Sequence, residues 1–304
     1  MSDSSTRFSS KRPYRGRFAP SPTGPLHLGS LISALASYLD ARNNSGTWLV
    51  RIDDLDPPRE VPGAAASILE DLQRHGLHAD EDILWQSERG PVYKEVLAKL
   101  HSAGETFLCQ CSRAVLGTLG NCQRSCSEHQ HGVTQPAATR IKLSVNTAVE
   151  FHDQLQGRQT LTPDTNNFLI HRKDGLYAYQ LAVVVDDACQ GITHIVRGSD
   201  LLGTTPRQVY LQQRLGYTTP AYCHIPVISN AQGQKFSKQN HAPALDNELA
   251  GANLRTALAF LRQTHPPSKV KNIEDILDFA ISHWSTALIP RVMSIQAAAY
   301  KERL

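Results

Sequence analysis

An α/β fold built on a doubly wound parallel sheet is the architecture this chain predicts, and three observations carry it. Arg17-Phe18-Ala19 reads as a short strand ended by Pro20. Leu28, Leu31, Ile32, Leu35 and Leu39 then recur at helical spacing, and Thr47 to Ile52, "TWLVRI", is a β-rich apolar run. Strand, helix and strand within so short a length make a βαβ unit, which requires a parallel sheet and places ligands at the carboxyl ends of its strands.

The elements follow in order. Ser30 is the expected N-cap of the first helix, which should fade at "NNSG", Asn43 to Gly46. Ala64 to Leu77 and Tyr93 to Ala103 read as helices. From Cys109 to about Thr165 the chain changes character, becoming rich in Cys, Gln, Thr and His, and reads as an insertion between two halves of the sheet. The α/β rhythm returns at Phe168, with Ile192 to Arg197 as a buried-type strand and Pro206 to Leu215 as a helix with proline in its first turn. The remainder is helical in pattern. The expected organisation is a flexible tail (1–14), a first Rossmann half (15–108), a zinc-binding insertion (109–165), a second half carrying the "KFSKQ" loop (166–240) and a short helical C-terminal region (241–304).

Composition sets the outer bounds. The 304 residues are 40% hydrophobic and 19% charged, a globular composition long enough for a sizeable core. A net charge of +3 is too small to argue for nucleic acid by itself. No run of about 18 apolar residues suggests a membrane span, and the polar start lacks an apolar signal core, so a cytoplasmic protein without membrane attachment is expected. Four of the six cysteines cluster as Cys109, Cys111, Cys122 and Cys126. Four thiolates in two close pairs suit tetrahedral zinc in a closed, structural site. His129 and His131 are rival ligands, and Cys189 and Cys223 stand alone as expected core residues.

Two motifs carry chemistry. In "PSPTGPLHLGS" a rigid loop runs into a helix mouth with His27 and Gly29. A helix N-terminus offers unpaired N–H groups and partial positive charge, and Gly29 lets a phosphate approach the backbone. Taken alone, the stretch reads equally well as a Pro-rich turn with a surface histidine. "KFSKQ" supplies Lys235 and Lys238, two ammonium groups able to follow developing charge on a polyphosphate. Alone, it would be an ordinary solvated basic loop. Together the two become specific.

At these residues the chain resembles the class I aminoacyl-tRNA synthetases. "RFAPSPTGPLHLG", "VRIDDLDPPRE", "VRGSDLL" and "KFSKQNHAPAL" are similar to the glutamyl-tRNA synthetase branch, and "DPPRE" and "KQNHAPAL" to its truncated paralogues, which place glutamate on queuosine in tRNA(Asp). The resemblance spans roughly Arg15 to Leu245 and implies a class I synthetase-like Rossmann fold. It implies His27 and Lys238 as catalytic residues, and His27, Gly29, Lys235 and Lys238 around ATP with its magnesium. Glutamate would be bound by Arg17, Phe18, Ala19, Pro20 and Ser21, with Asp53, Tyr179 and Arg197. The guanidinium of Arg17 would match a substrate carboxylate, and "AYQLA" and "VRGSD" are expected at strand ends. The implied partners are ATP, L-glutamate and queuosine-bearing tRNA(Asp), with the protein acting as a monomer.

Two positions depart from the family pattern. Asp53 stands where the family has a glutamate that grips the substrate ammonium group, and Cys122 takes the place of a tyrosine ligand to zinc. Among rival readings, an RNA-independent adenylate-forming ligase would share the His-x-Gly helix mouth, whereas an RNA-binding zinc module would not need His27, Lys235 or Lys238. A minimal glutamyl-tRNA synthetase charging a tRNA 3′ end would share every motif, but the stretch after Lys238 is short for an anticodon-reading domain.

Overall fold

The computed structural model describes residues 12–116, 126, 133, 136–143, 149–161, 167–230 and 243–297. Lys235, Lys238, Cys122, His129, His131 and the start of the N-terminal tail lie outside them.

The first half of the sheet is the expected βαβ unit. Strand β1 (Arg15–Phe18) leads into helix α1 (Leu28–Asn43), which returns to strand β2 (Thr47–Ile52). β2 pairs parallel with β1, Arg17 opposite Leu49, and with the short β3 (Leu84–Trp85). Between β2 and β3 lies α2 (Ala64–Arg74), shorter than the helix expected to Leu77; Leu77 packs into the core beyond its end. α3 (Gly90–Ser102) and β4 (Thr106–Cys109) complete this half, and a single turn, α4 (Arg113–Leu116), follows.

The strands described between Cys109 and Leu161 divide between two sheets. β5 (Ala138–Ile141) pairs antiparallel with β4 and with β8 (Leu169–His171), forming a small separate sheet. The hairpin of β6 (Val149–Asp153) and β7 (Gly157–Leu161) instead forms the outer edge of the four-stranded sheet of the second half. α5 (Tyr179–Cys189), β9 (His194–Gly198), α6 (Thr205–Leu215) and β10 (Ala221–Ile225) follow, with β9 and β6 both parallel to β10. β9 starts beside β1, where Thr193 N donates to Arg15 O at 2.9 Å. The two halves therefore meet at β1 and β9, and the polypeptide diverges from that line in both directions, a topological switch point.

α1 is buried nearly all round, from Leu31 to Ala41, because it is sandwiched between the sheet and two C-terminal helices, α7 (Ala250–Phe260) and α8 (Ile273–Ser282). α3, α5 and α6 contribute a second core, joined from the sheet by residues such as Leu49 and Ile195. β2 serves both: Trp48, Val50 and Ile52 pack toward α1 while Leu49 joins the second core. Asp40 of α1 accepts from Tyr14 Oη and, at 2.9 Å, from Trp284 Nε1, tying the C-terminal region to the start of the sheet. That region is not helical throughout. Val227–Ser229 (β11) pairs parallel with Ser294–Gln296 (β12). No helix among the described residues is long and apolar enough to cross a membrane.

Candidate active site

The loop from Ala19 to Leu26 is held along its length. Pro20 O accepts from Asp53 N at 2.9 Å, Pro22 O from Val61 N at 3.0 Å and Leu26 O from Leu245 N at 3.0 Å. Gly24 has φ of 138°, a conformation open to glycine and strained for other residues. Pro20, Pro22 and Pro25 each fix their own φ, and with these hydrogen bonds the loop delivers His27 to the mouth of α1. His27, rather than Ser30, is the N-cap, its Nδ1 accepting from Ser30 N at 3.3 Å. An imidazole nitrogen has replaced the usual hydroxyl in that task because the chain turns into the helix three residues before Ser30.

Beside this helix mouth lies a cavity of about 330 Å³ at the carboxyl ends of β1 and β9. Arg17 to Ser21, His27, Gly29, Tyr179 and Arg197 all line it, so residues far apart in sequence converge on one space. Asp200, Ser33 and Val227 also line it and were not singled out from sequence. Tyr179 reaches it from the first turn of α5, not from a strand end, because the chain enters α5 directly after a short extended segment.

Among the described residues, Asp53 is the candidate that does not line the cavity. It is buried beneath it, with Oδ1 2.8 Å from Arg51 Nε. Burial pushes its carboxyl up to about 6, against the pull of Arg51 and Arg17. Its short side chain meets the arginine two residues back on the same face of β2 and stops there.

Arg17 is held by Asp187 of α5, which also accepts from Arg51 Nη1 at 2.7 Å. Burial alone would raise the Asp187 carboxyl, but the Arg17 and Arg51 guanidiniums outweigh it and hold the group below the usual range. Arg197 is held differently: Nε donates to His224 Nε2 at 3.0 Å, and Nη2 to Thr205 Oγ1 and Gln208 Oε1, each at 2.7 Å. Its Nη1 lies 3.5 Å from the Tyr179 hydroxyl. Two guanidiniums thus flank the cavity, one with a carboxylate behind it and one, among the described residues, without.

A second cluster lies apart, at the small antiparallel sheet. The Sγ atoms of Cys109, Cys111 and Cys126 fall within 4.8 Å of one another, and those of Cys111 and Cys126 are 3.6 Å apart. Tetrahedral zinc with sulfur ligands at about 2.3 Å would set its sulfurs roughly 3.8 Å apart. The three thiols fit such a metal with one further ligand, and Lys173 Nζ, bound to Gln110 O at 2.7 Å and Cys111 O at 3.1 Å, adds positive charge nearby. Cys223 is buried as expected, but Cys189 is exposed, since it falls at the end of α5 on the outward side.

A family model of class I tRNA synthetases (E and Q), catalytic domain, matches residues 14–258. The chain belongs to this family. Within the class I synthetases it is 47% identical over 293 residues to the Glutamyl-Q tRNA(Asp) synthetase of Salmonella typhi, covering 94% of this chain and 96% of that one. The protein of the same description from Escherichia coli K12 is 48% identical over 282 residues, 91% of each chain. The chain is therefore a ligase of the class I synthetase type and belongs with the glutamyl-Q group. Of solved class I structures, glutamate-tRNA synthetase from Elizabethkingia anophelis superposes with a TM-score of 0.76 at 23% identity, over 95% of this chain and 69% of that one. A glutamate tRNA ligase from Elizabethkingia meningosepticum, in complex with its amino acid, gives 0.75 at 23% identity, over 95% and 68%. At that identity these two likenesses speak to the fold.

Proposed function

We propose that the protein activates L-glutamate with ATP and transfers it to the queuosine base at the first anticodon position of tRNA(Asp). The observation that carries the reading is the convergence of Arg17, His27, Gly29, Tyr179 and Arg197 on one cavity at the switch point of the sheet, beside the mouth of α1. Two guanidiniums suit a substrate with two carboxylates. In the first step a glutamate carboxylate oxygen attacks the α-phosphorus of ATP, and pyrophosphate leaves. Gly29 and the N–H groups of the first turn of α1 would receive the phosphates, and His27 and Lys238 would stabilise charge developing on them. Asp53 would act from beneath, by holding Arg51. Magnesium would arrive with ATP, held mainly by its phosphates.

In the second step a hydroxyl of the queuosine cyclopentene diol attacks the adenylate carbonyl, and AMP leaves. That diol resembles the vicinal hydroxyls of a ribose, so the same pocket serves without new chemistry. The names of the relatives in the Salmonella and Escherichia proteins support this acceptor. Cys109, Cys111 and Cys126, with Cys122 as fourth ligand, would hold a structural zinc that fixes the small sheet. Labelled glutamate should enter tRNA(Asp) bearing queuosine and be absent from the same transcript lacking it. Charging of a tRNA 3′ end would make the protein a minimal glutamyl-tRNA synthetase. Glutamate-dependent pyrophosphate exchange with no RNA acceptor would leave an adenylate-forming ligase.

A further inference from the structure

We infer that His224 and Asp153 are a positioning pair that sets the direction of Arg197 without cancelling its charge; the inference rests on the glutamate-activating reading. Arg197 sits on β9 directly opposite His224 of β10, and β10 in turn pairs with the end of β6 at Asp153. All three side chains are buried. Arg197 Nε donates to His224 Nε2 at 3.0 Å, which requires that nitrogen to carry a lone pair. The proton must then sit on Nδ1, and Nδ1 is 2.6 Å from Asp153 Oδ2.

Asp153 can hold that proton partner in place because it is itself fixed. Its Oδ1 accepts from Leu155 N at 3.0 Å and Gln156 N at 2.9 Å, and its Oδ2 from His224 N at 3.1 Å. Burial would raise its carboxyl, but these hydrogen bonds and His224 hold it below the usual range. Burial pushes the His224 imidazole down, and Arg197 adds to that, against the opposing pull of Asp153. The ring is therefore neutral, with one tautomer imposed from behind.

The choice of partner has a chemical consequence. Arg17 is gripped by the Asp187 carboxylate, which it shares with Arg51. Among the described residues Arg197 has no carboxylate at ion-pairing distance; its hydrogen-bond partners are an imidazole, a hydroxyl, an amide and, weakly, the Tyr179 hydroxyl. The Tyr222 ring, 5.3 Å from its guanidinium carbon, supports it from one side. A neutral acceptor orients the guanidinium while leaving its positive charge for a substrate carboxylate. A ring protonated on Nε2 would instead turn an N–H toward Arg197 and repel it.

The test compares His224→Leu, which removes the acceptor, with His224→Gln, whose side-chain oxygen can replace Nε2. In ATP–pyrophosphate exchange, His224→Leu should raise the KM for glutamate by about ten- to hundredfold, the range commanded by a hydrogen bond to a charged group. KM for ATP should stay within about twofold, and His224→Gln should recover most of the loss. A folded His224→Leu protein with unchanged KM for glutamate, or with both KM values raised alike, overturns the inference. Nitrogen-15 NMR of the imidazole gives a readout independent of turnover: the ring should carry its proton on Nδ1 in the wild type and lose that preference in Asp153→Leu. An Nε2–H ring in the wild type overturns the pair. Should the wild type show no glutamate-dependent exchange, the functional reading falls, and the tautomer measurement still decides the pair.

Discussion

Arg17 and Asp187 form a two-pronged buried ion pair, Nε to Oδ1 at 3.1 Å and Nη2 to Oδ2 at 3.2 Å, with each side chain 4% exposed. The pair joins the last turn of α5 to the strand that ends at the cavity. Nε and Nη2 are engaged by Asp187, and Arg17 also lines the cavity. Its direction is decided by a helix residue 170 positions away in sequence.

Removing that carboxylate takes the ion-pair partner from buried Arg17 and leaves Arg51 with Asp53. Loss of one partner from a buried pair typically costs about 3–5 kcal/mol. Asp187→Asn keeps the shape and is expected to lose that much in urea denaturation, together with glutamate-dependent exchange. A change of less than about 1 kcal/mol would show that the pair is not holding the strand and helix together.

Asp53 sets an opposite pH dependence. Its carboxyl is pushed up to about 6, so between its ordinary value and about 6 the folded protein holds a proton that the unfolded chain has released. Its contribution to stability is therefore full below that window and is lost as pH rises through it, by an amount on the order of 3 kcal/mol. Asp187, held low, contributes in the other sense: its stabilisation is present at neutral pH and lost as the solution becomes acid enough to protonate it. Asp53→Asn should remove the first dependence and leave the second. The stability of Asp53→Asn relative to wild type should rise between about pH 4 and pH 6, and parallel curves would refute the assignment.

His27 is the N-cap of α1, the mechanism proposed above gives it a second task at the phosphates, and one substitution can separate the two. Asparagine is a good N-cap but a poor substitute for an imidazole reaching a phosphate. His27→Asn should keep the melting temperature near that of the wild type while pyrophosphate exchange falls by about two orders of magnitude. His27→Ala should lose the same activity and a further ~1 kcal/mol of stability. Near-normal exchange in His27→Asn would leave His27 as a cap alone.

Much of this was legible in the chain. The period-3.6 run from Leu28 and the β-rich "TWLVRI" fix the first βαβ unit because both patterns are strong and the intervening turn is short. His27, Gly29, Arg17 and Arg197 were legible because their strings carry both a local geometry and a family resemblance. The hidden part lies behind the cavity. Asp187 and Asp153 act across elements, and pairings at such separation leave no local period. One signal was available: "VVVDDA" puts two carboxylates into an apolar helical run, and both prove buried and paired. The family string says where the Asp53 carboxylate sits but not that Arg51 will take it.

The cysteine cluster predicts a metal measurement. With Cys109, Cys111 and Cys126 already gathered, removal of one thiolate opens the site, and affinity should fall together with order in the small sheet. Elemental analysis should find close to one zinc per chain in the wild type, by the usual four-ligand stoichiometry, and much less in Cys126→Ser. Zinc retained in full by that variant would pass the role to His129 or His131.

Gly198 ends β9 at the rim of the cavity, and its φ of −63° is open to any residue, so its smallness has a steric cause. A Cβ there would lie 2.5 Å from Asp200 Oδ1 and 3.0 Å from Val227 Cγ1, and both neighbours line the cavity. Asp200 Oδ1 is the far end of an exposed side chain, whereas Val227 is anchored in β11, whose partner strand is β12. Gly198→Ala should therefore fold with a stability loss of about 1–3 kcal/mol, the usual scale of overpacking, and should displace Asp200 first. Exchange kinetics in Gly198→Ala, Asp200→Ala and the double variant separate the two contacts. If the Asp200 displacement accounts for the defect, the double variant should be no worse than Asp200→Ala alone. Additive losses would instead assign the defect to Val227 and the strand beneath it.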